Sequence, residues 1–156
     1  MSQMECIIMA IDPGDTESAY VIAGLDMKPI KKGKVPNETM LKLLESEWYQ
    51  VLVIERIAGY GMAVGDEVFE TCVRTGRFLQ ASYATVKARI TRRDIKLHLC
   101  GQARAKDGNV RLALMDRFGN KGTKKNPGWF YEFKDDVWAA YAVLVTYCDA
   151  VSKETD

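Results

Sequence analysis

Residues Cys6–Asp12 read CIIMAID, and residues Tyr49–Glu55 read YQVLVIE. Both are short, continuous apolar runs, the pattern of strands buried on both faces. Each ends on an acid, Asp12 and Glu55. A carboxylate at the end of a buried run is costly unless it is paired or used in chemistry. The stretch between them contains one amphipathic helical pattern. A helical crossover between buried strands makes them parallel, so the two acids are expected at the same end of one sheet. That is the end where open α/β sheets place their sites.

Working outward, Glu5–Ile11 is predicted as a central strand closed by Pro13-Gly14. Ser18–Leu25 and Lys28–Val35 follow as two more strands around a turn at Asp26, giving an antiparallel meander. Asn37 is the expected N-cap of a helix over Glu38–Trp48, with Met40, Leu41, Leu43, Leu44 and Trp48 on one face. A glycine-punctuated loop, AGYGMAVG (58–65), leads to a long helix over Asp66–Tyr83. Its stripe of Phe69, Cys72, Val73, Gly76, Leu79 and Tyr83 is expected to face the sheet. Lys87–Leu99 reads as one or two strands, with ARIT and IKLHL alternating. Asp107–Phe118 is a helix capped by Gly119, Asn120–Gly128 a flexible basic loop, and Asp135–Val151 the final helix. Trp129, Phe130, Tyr131 and Phe133 are expected to anchor that helix in the core.

The chain has 156 residues, within the range of a single domain spanning 1–156. No stretch approaches the length of apolar sequence that a membrane helix needs, and MSQMECIIMAIDPG lacks the charged start of a signal peptide. Cys6, Cys72, Cys100 and Cys148 form no CxxC pair, and His98 is the only histidine. The cysteines read as buried free thiols of a reducing cytoplasm, and a zinc finger is not expected, since Cys100 lies at the wrong spacing from His98. Net charge is +1, but its distribution is uneven: Lys87–Lys125 holds 12 Lys and Arg against 3 Asp and Glu. A one-sided basic segment suggests a polyanion partner, with a solvated face as the plain alternative.

A third acidic site, Asp135-Asp136, opens the last helix. Three carboxylate sites on one core suit a pair of Mg²⁺ ions, which take hard oxygen ligands and can activate water against a phosphodiester. Taken singly, each acid has a plainer reading. Asp12 before Pro13-Gly14 is turn chemistry, Glu55 is a partner for Arg56 or Arg93, and Asp135 and Asp136 complement a helix dipole.

The run IIMAIDPGDTESAYVI (7–22) resembles the opening motif of RuvC-type Holliday junction resolvases. VLVIERI (51–57) resembles their second motif, and DDVWAAYAVLVTYC (135–148) is similar to their last helix. The similarity spans nearly the whole chain and is closest to the phage-encoded branch. It implies an α/β, ribonuclease H-like fold: a mixed five-stranded sheet flanked by helices in the order βββαβαβαα. It also implies a metal-dependent endonuclease that cuts four-way DNA junctions and leaves 5′-phosphates. Such an enzyme would be a homodimer in the cytoplasm of a bacterial or phage-infected cell, using Mg²⁺ with Mn²⁺ able to substitute. Asp12, Glu55 and Asp136 match family acids. The family's next acid, one helical turn on, is Ala139 here. Asp135 or Glu132 replaces it, or three acids suffice; Asp135 is taken as the substitute.

The family's phosphate-contacting lysine is matched by Lys106, with Arg104 and Arg111 nearby. Tyr60, between Gly59 and Gly61, is the candidate to stack on a base at the junction centre. Arg92, Arg93 and the loop lysines Lys121, Lys124 and Lys125 complete the expected DNA contacts. Dimerisation is implied through the helix after Glu55, with Arg74, Arg77 and Phe78 as candidate contacts. Actin-type ATP binding needs two ribonuclease H-like halves, so no nucleotide cofactor is expected. A nuclease of this fold with another substrate (forks, flaps or RNA–DNA hybrids) and a non-catalytic DNA-binding module are the alternatives.

Overall fold

The computed structural model describes residues 5–154; the first part of the signal-peptide reading falls on residues 1–4, outside the described residues. The elements are β1 (Ile8–Asp12), β2 (Glu17–Ala23), β3 (Pro29–Pro36), α1 (Asn37–Ser46), β4 (Val51–Arg56), α2 (Asp66–Ala81), β5 (Val86–Thr91), α3 (Arg92–Cys100), α4 (Asp107–Phe118) and α5 (Val137–Glu154). The strands form one mixed sheet in the order β3-β2-β1-β4-β5. β1 runs antiparallel to β2 and parallel to β4, and β4 runs parallel to β5.

Strand alternation divides the core into two layers. Ile8 and Ala10 of β1 and Val51 and Val53 of β4 join one cluster with α3, α4 and α5. Met9, Ile11, Leu52 and Ile54 join the other with Met40, Leu41 and Leu44 of α1 and Phe78 of α2. Helix α5 is buried along most of its length, from Val137 to Cys148. An aromatic group of Phe118, Phe130, Phe133, Trp138 and Tyr141 closes around it, so Phe130 and Phe133 are core anchors as expected. No helix among the described residues is long and apolar enough to cross a membrane.

Several expectations are corrected. IKLHL is helix, not strand. Apolar residues at 95, 97 and 99 fit either period, but Ile95 and Leu99 pack inward while Leu97 is 42% exposed, which is helical spacing. Thr91 accepts a hydrogen bond from the Asp94 N–H at 3.2 Å, and Gly101 ends the helix at φ 72°. Asn37 does not cap α1, and Trp48 lies beyond the helix, 48% exposed. Asn37 instead accepts from the Ser18 hydroxyl at 2.6 Å and donates to the Gly14 carbonyl at 2.9 Å. Ser18 also accepts from the Gly14 N–H at 3.1 Å, so this network ties down the turn that follows Asp12.

Helix α2 ends at Ala81, short of Tyr83, and turns most of its expected stripe outward, although Leu79 does pack against the core. Phe69, Val73 and Tyr83 are 60%, 54% and 69% exposed, whereas Thr71, Thr75 and Phe78 are buried. The two threonine hydroxyls donate to carbonyls one turn earlier, at 2.8 and 2.9 Å, so neither hydroxyl is left unpaired, whereas Arg74 Nε beside them is buried without a hydrogen-bond partner. Arg74 and Arg77 pair with Glu38 of α1, and Phe78 fills the core, so the three proposed dimer contacts serve the chain itself. The basic loop is closed by a Gly122–Pro127 bridge and a Gly128 N–H to Lys121 carbonyl bond of 2.9 Å. All four cysteines are free thiols, but only Cys148 is buried, and Cys72 is exposed.

Candidate active site

The sheet register brings the acids together. β1 and β4 pair in parallel up to Ile11 and Ile54, so Asp12 and Glu55 occupy the next step. Both continue the strand positions that face α5 (Ile8, Ala10, Asp12 and Val51, Val53, Glu55), so they project toward one side of the sheet. Asp12 hydrogen-bonds Glu55, which is 4% exposed. Burial first, then that hydrogen bond, then the charges of Glu55 and Asp136 push the Asp12 carboxyl from its ordinary 3.8 up to about 9, with Arg92 opposing. Two carboxyls this close, Glu55 buried and Asp12 half-buried, cannot both ionise unless a cation lies with them.

Asp136 belongs to this field, since its charge helps raise Asp12, and Asp135 adjoins it and lines the same small cavity. Both precede α5 rather than beginning it; Asp135 has φ 49°, a left-handed conformation uncommon outside glycine. Asp135 lines an open cleft of about 660 Å³ together with Glu17, Glu132, Lys32, Lys34, Lys121 and Lys134. It also borders a smaller cavity of about 50 Å³ beside Asp136, Arg111 and Ala139.

Sequence reasoning missed three neighbours of the acids. Lys34 Nζ lies 2.8 Å from Asp136 Oδ2. Its place follows from register: Lys34 pairs with Ala19, and Ala19 pairs with Asp12, so one row across the sheet carries all three on the same side. Asp107, in the first turn of α4, lies 3.5 Å from Arg92 Nη1 and 3.7 Å from Lys96 Nζ. Together with Glu55 and Ala139 these residues surround a cavity of about 30 Å³, enough for one water or a bare ion. Lys96 and Asp107 carry no local signal of this role, because α3 and α4 meet the sheet edge only through tertiary packing.

The remaining candidates lie around this centre. Arg92, expected among the DNA contacts, donates from Nε to Glu55 at 2.8 Å, in place of Arg56 or Arg93 as Glu55's ion-pair partner. Arg111 lies over the Trp138 ring at 5.9 Å and borders the cavity with Asp136. Lys106 is at the N-cap of α4, exposed, and lines none of the cavities that hold the acids. Arg93 and Arg104 are exposed, as are Lys121, Lys124 and Lys125. Tyr60 is 54% exposed in a tight turn closed by a 3.0 Å bond from the Met62 N–H to the Gly59 carbonyl. Its φ of 49° and that of Gly61, 78°, are the signs of a type I′ turn.

Among the described residues no three His, Cys, Asp or Glu side chains converge as a ready metal site. Asp136 is drawn to Lys34, and Glu55 to Arg92. The donor set still fits a hard divalent ion. It is all oxygen, and the burial and neighbouring acids that drive a proton onto Asp12 are what such an ion would offset.

No protein-family model and no curated protein matches this sequence. Solved structures do. A Thermus thermophilus RuvC structure superposes with a TM-score of 0.67 at 16% identity, over 96% of this chain and 97% of that one. T. thermophilus RuvC in complex with Holliday junction substrate superposes with a TM-score of 0.71, also at 16% identity and the same coverage. Over nearly its whole length, therefore, the chain has the ribonuclease H-like fold of these RuvC structures.

Proposed function

We propose that this chain is a divalent-metal-dependent, structure-selective endodeoxyribonuclease that resolves four-way DNA junctions by paired hydrolysis, leaving 5′-phosphates. The observation that carries the reading is the placement of Asp12 and Glu55 side by side at the carboxyl ends of parallel strands, with Asp136 acting on the same point. Asp12, Glu55 and Asp136 would hold the ion, Mg²⁺ or in its place Mn²⁺. When bound, it supplies an activated water and charge stabilisation at the phosphate. Of the two candidate substitutes for the acid replaced by Ala139, Asp135 lines the small cavity with Asp136 and Ala139, and Glu132 does not.

The chain's own cations bind and orient the substrate. Arg111 borders the acid cavity, and Lys121 lines the adjoining cleft with Lys32, Lys34 and Lys134. Arg93, Arg104, Lys106, Lys124 and Lys125 would hold phosphates farther out, contributing salt-dependent affinity without sequence readout. Tyr60, presented on a tight turn, would stack on a base at the junction.

A four-way junction has two-fold symmetry, and paired cuts need two sites. The exposed Phe69 and Val73 on α2 and Tyr83 just past its end, with Gly76 allowing close approach, fit a second copy of this chain. The whole chain would act as one nuclease domain within a homodimer, in the bacterial or phage-infected cytoplasm and related to the phage branch. A cleavage panel tests the reading: four-way junction, fork, flap, duplex and RNA–DNA hybrid, each with and without Mg²⁺. Junction cutting that needs Mg²⁺ and disappears in Asp12→Asn is the expected result. Cutting by Asp12→Asn at the normal rate would refute the site. Inactivity on every substrate would favour a non-catalytic DNA-binding module.

A further inference from the structure

Arg92 is the first residue of α3 and follows β5 directly, next to β4 in the sheet. Its guanidinium lies within the acid cluster rather than outside it. Nε donates to Glu55 Oε1 at 2.8 Å, and Nη1 lies 3.5 Å from Asp107 Oδ1. The two partners differ sharply: the Glu55 side chain is 6% exposed and that of Asp107 is 69% exposed. Arg92 itself is 46% exposed, so one side of the guanidinium reaches a buried carboxylate while the other is open to solvent.

A guanidinium keeps its charge at every accessible pH, so it cannot vacate Glu55 by losing a proton. Any other cation that uses Glu55 has to displace it physically. Asp107 gives the displaced group a second carboxylate within reach, on the open side of the cluster. A guanidinium freed there, beside the acids that face the reacting phosphate, has the fork geometry that binds phosphate oxygens in pairs.

We propose that Arg92 is a displaceable counter-ion of Glu55. It neutralises that buried carboxylate, yields it to a divalent ion, and swings toward Asp107 to hold the phosphate of the strand to be cut. Arg92 is thus a positioning residue for the acids and a binding residue for the substrate. This inference rests on the metal-dependent nuclease reading above.

The test compares wild type with Arg92→Ala and Arg92→Lys on two readouts. The first is Mn²⁺ affinity of the DNA-free protein, followed by electron paramagnetic resonance of free Mn²⁺. The second is junction cleavage at saturating Mn²⁺. Arg92→Ala is expected to bind Mn²⁺ about tenfold tighter, the scale of one charge-assisted hydrogen bond no longer in competition. It is expected to cleave about a hundredfold slower, the scale of one lost charge-stabilising contact. Arg92→Lys should fall between the two on both readouts. Unchanged or weaker Mn²⁺ binding by Arg92→Ala would overturn the counter-ion role, since a merely structural arginine would leave Glu55 less well placed. Tighter binding with undiminished cleavage would overturn the phosphate role. No Mn²⁺ binding by wild type would overturn the metal-site reading itself, and the counter-ion role with it.

Discussion

Replacing Asp12 with asparagine should stabilise the protein while abolishing its chemistry. The Asp12 carboxyl is pushed from 3.8 up to about 9, chiefly by burial and by Glu55. In the unfolded chain Asp12 ionises near pH 4, whereas in the folded chain it keeps its proton to about 9. Folding therefore takes up a proton across this window. The stability this provides is fully present below pH 4 and is lost as pH rises, by up to ~1.4 kcal/mol per pH unit. Asparagine has nearly the same shape and no charge to lose, so it removes this dependence. In a domain of this size ~1 kcal/mol moves Tm by roughly 2–4 °C. The Asp12→Asn variant should therefore melt higher than wild type in EDTA, by a margin that widens from pH 5 to pH 8. Saturating Mg²⁺ or Mn²⁺ should raise the wild-type Tm and narrow that margin, because ion binding is linked to loss of the proton. Thermal melts followed by circular dichroism at half-unit pH steps, with and without the ion, provide the measurement. A margin that does not change with pH, or a variant less stable throughout, would refute the assignment of a half-buried, proton-holding Asp12.

Two aromatic and aliphatic positions on α2 should behave in opposite ways. Phe78 is wholly buried, and Phe78→Ala should destabilise the fold by ~3–5 kcal/mol in a urea titration. Val73 is 54% exposed, and Val73→Glu should leave the Tm within a few degrees while converting a dimer to monomer in sedimentation. An unchanged sedimentation profile for Val73→Glu would remove α2 as the dimer surface. Lys124→Ala with Lys125→Ala should weaken junction binding across sequences and flatten its salt dependence by about one to two counterions. An unaltered salt slope would place that loop off the DNA.

Much of the architecture was legible from local pattern. The apolar runs ending at Asp12 and Glu55, the helical crossover between them and the α4 boundaries at Asp107 and Gly119 all match the observed elements. Ambiguity arose where one pattern fits two periods, as in IKLHL, or where an amphipathic helix offers two faces. For α2 the apolar stripe named only Leu79 of the inner face, because Thr71 and Thr75 bond to their own helix and Phe78 supplies the buried volume.

What the sequence by itself determined is the set of strands and the acids at their ends, since periodicity and chain punctuation are local properties. The tertiary structure alone decided which charges meet those acids. Lys34 reaches Asp136 through two steps of strand register, and Arg92 joins Glu55 to Asp107 across 37 and 15 residues of sequence. Such pairings depend on register and helix docking, and a charge carries no mark in the sequence of the distant partner it will meet once the chain has packed.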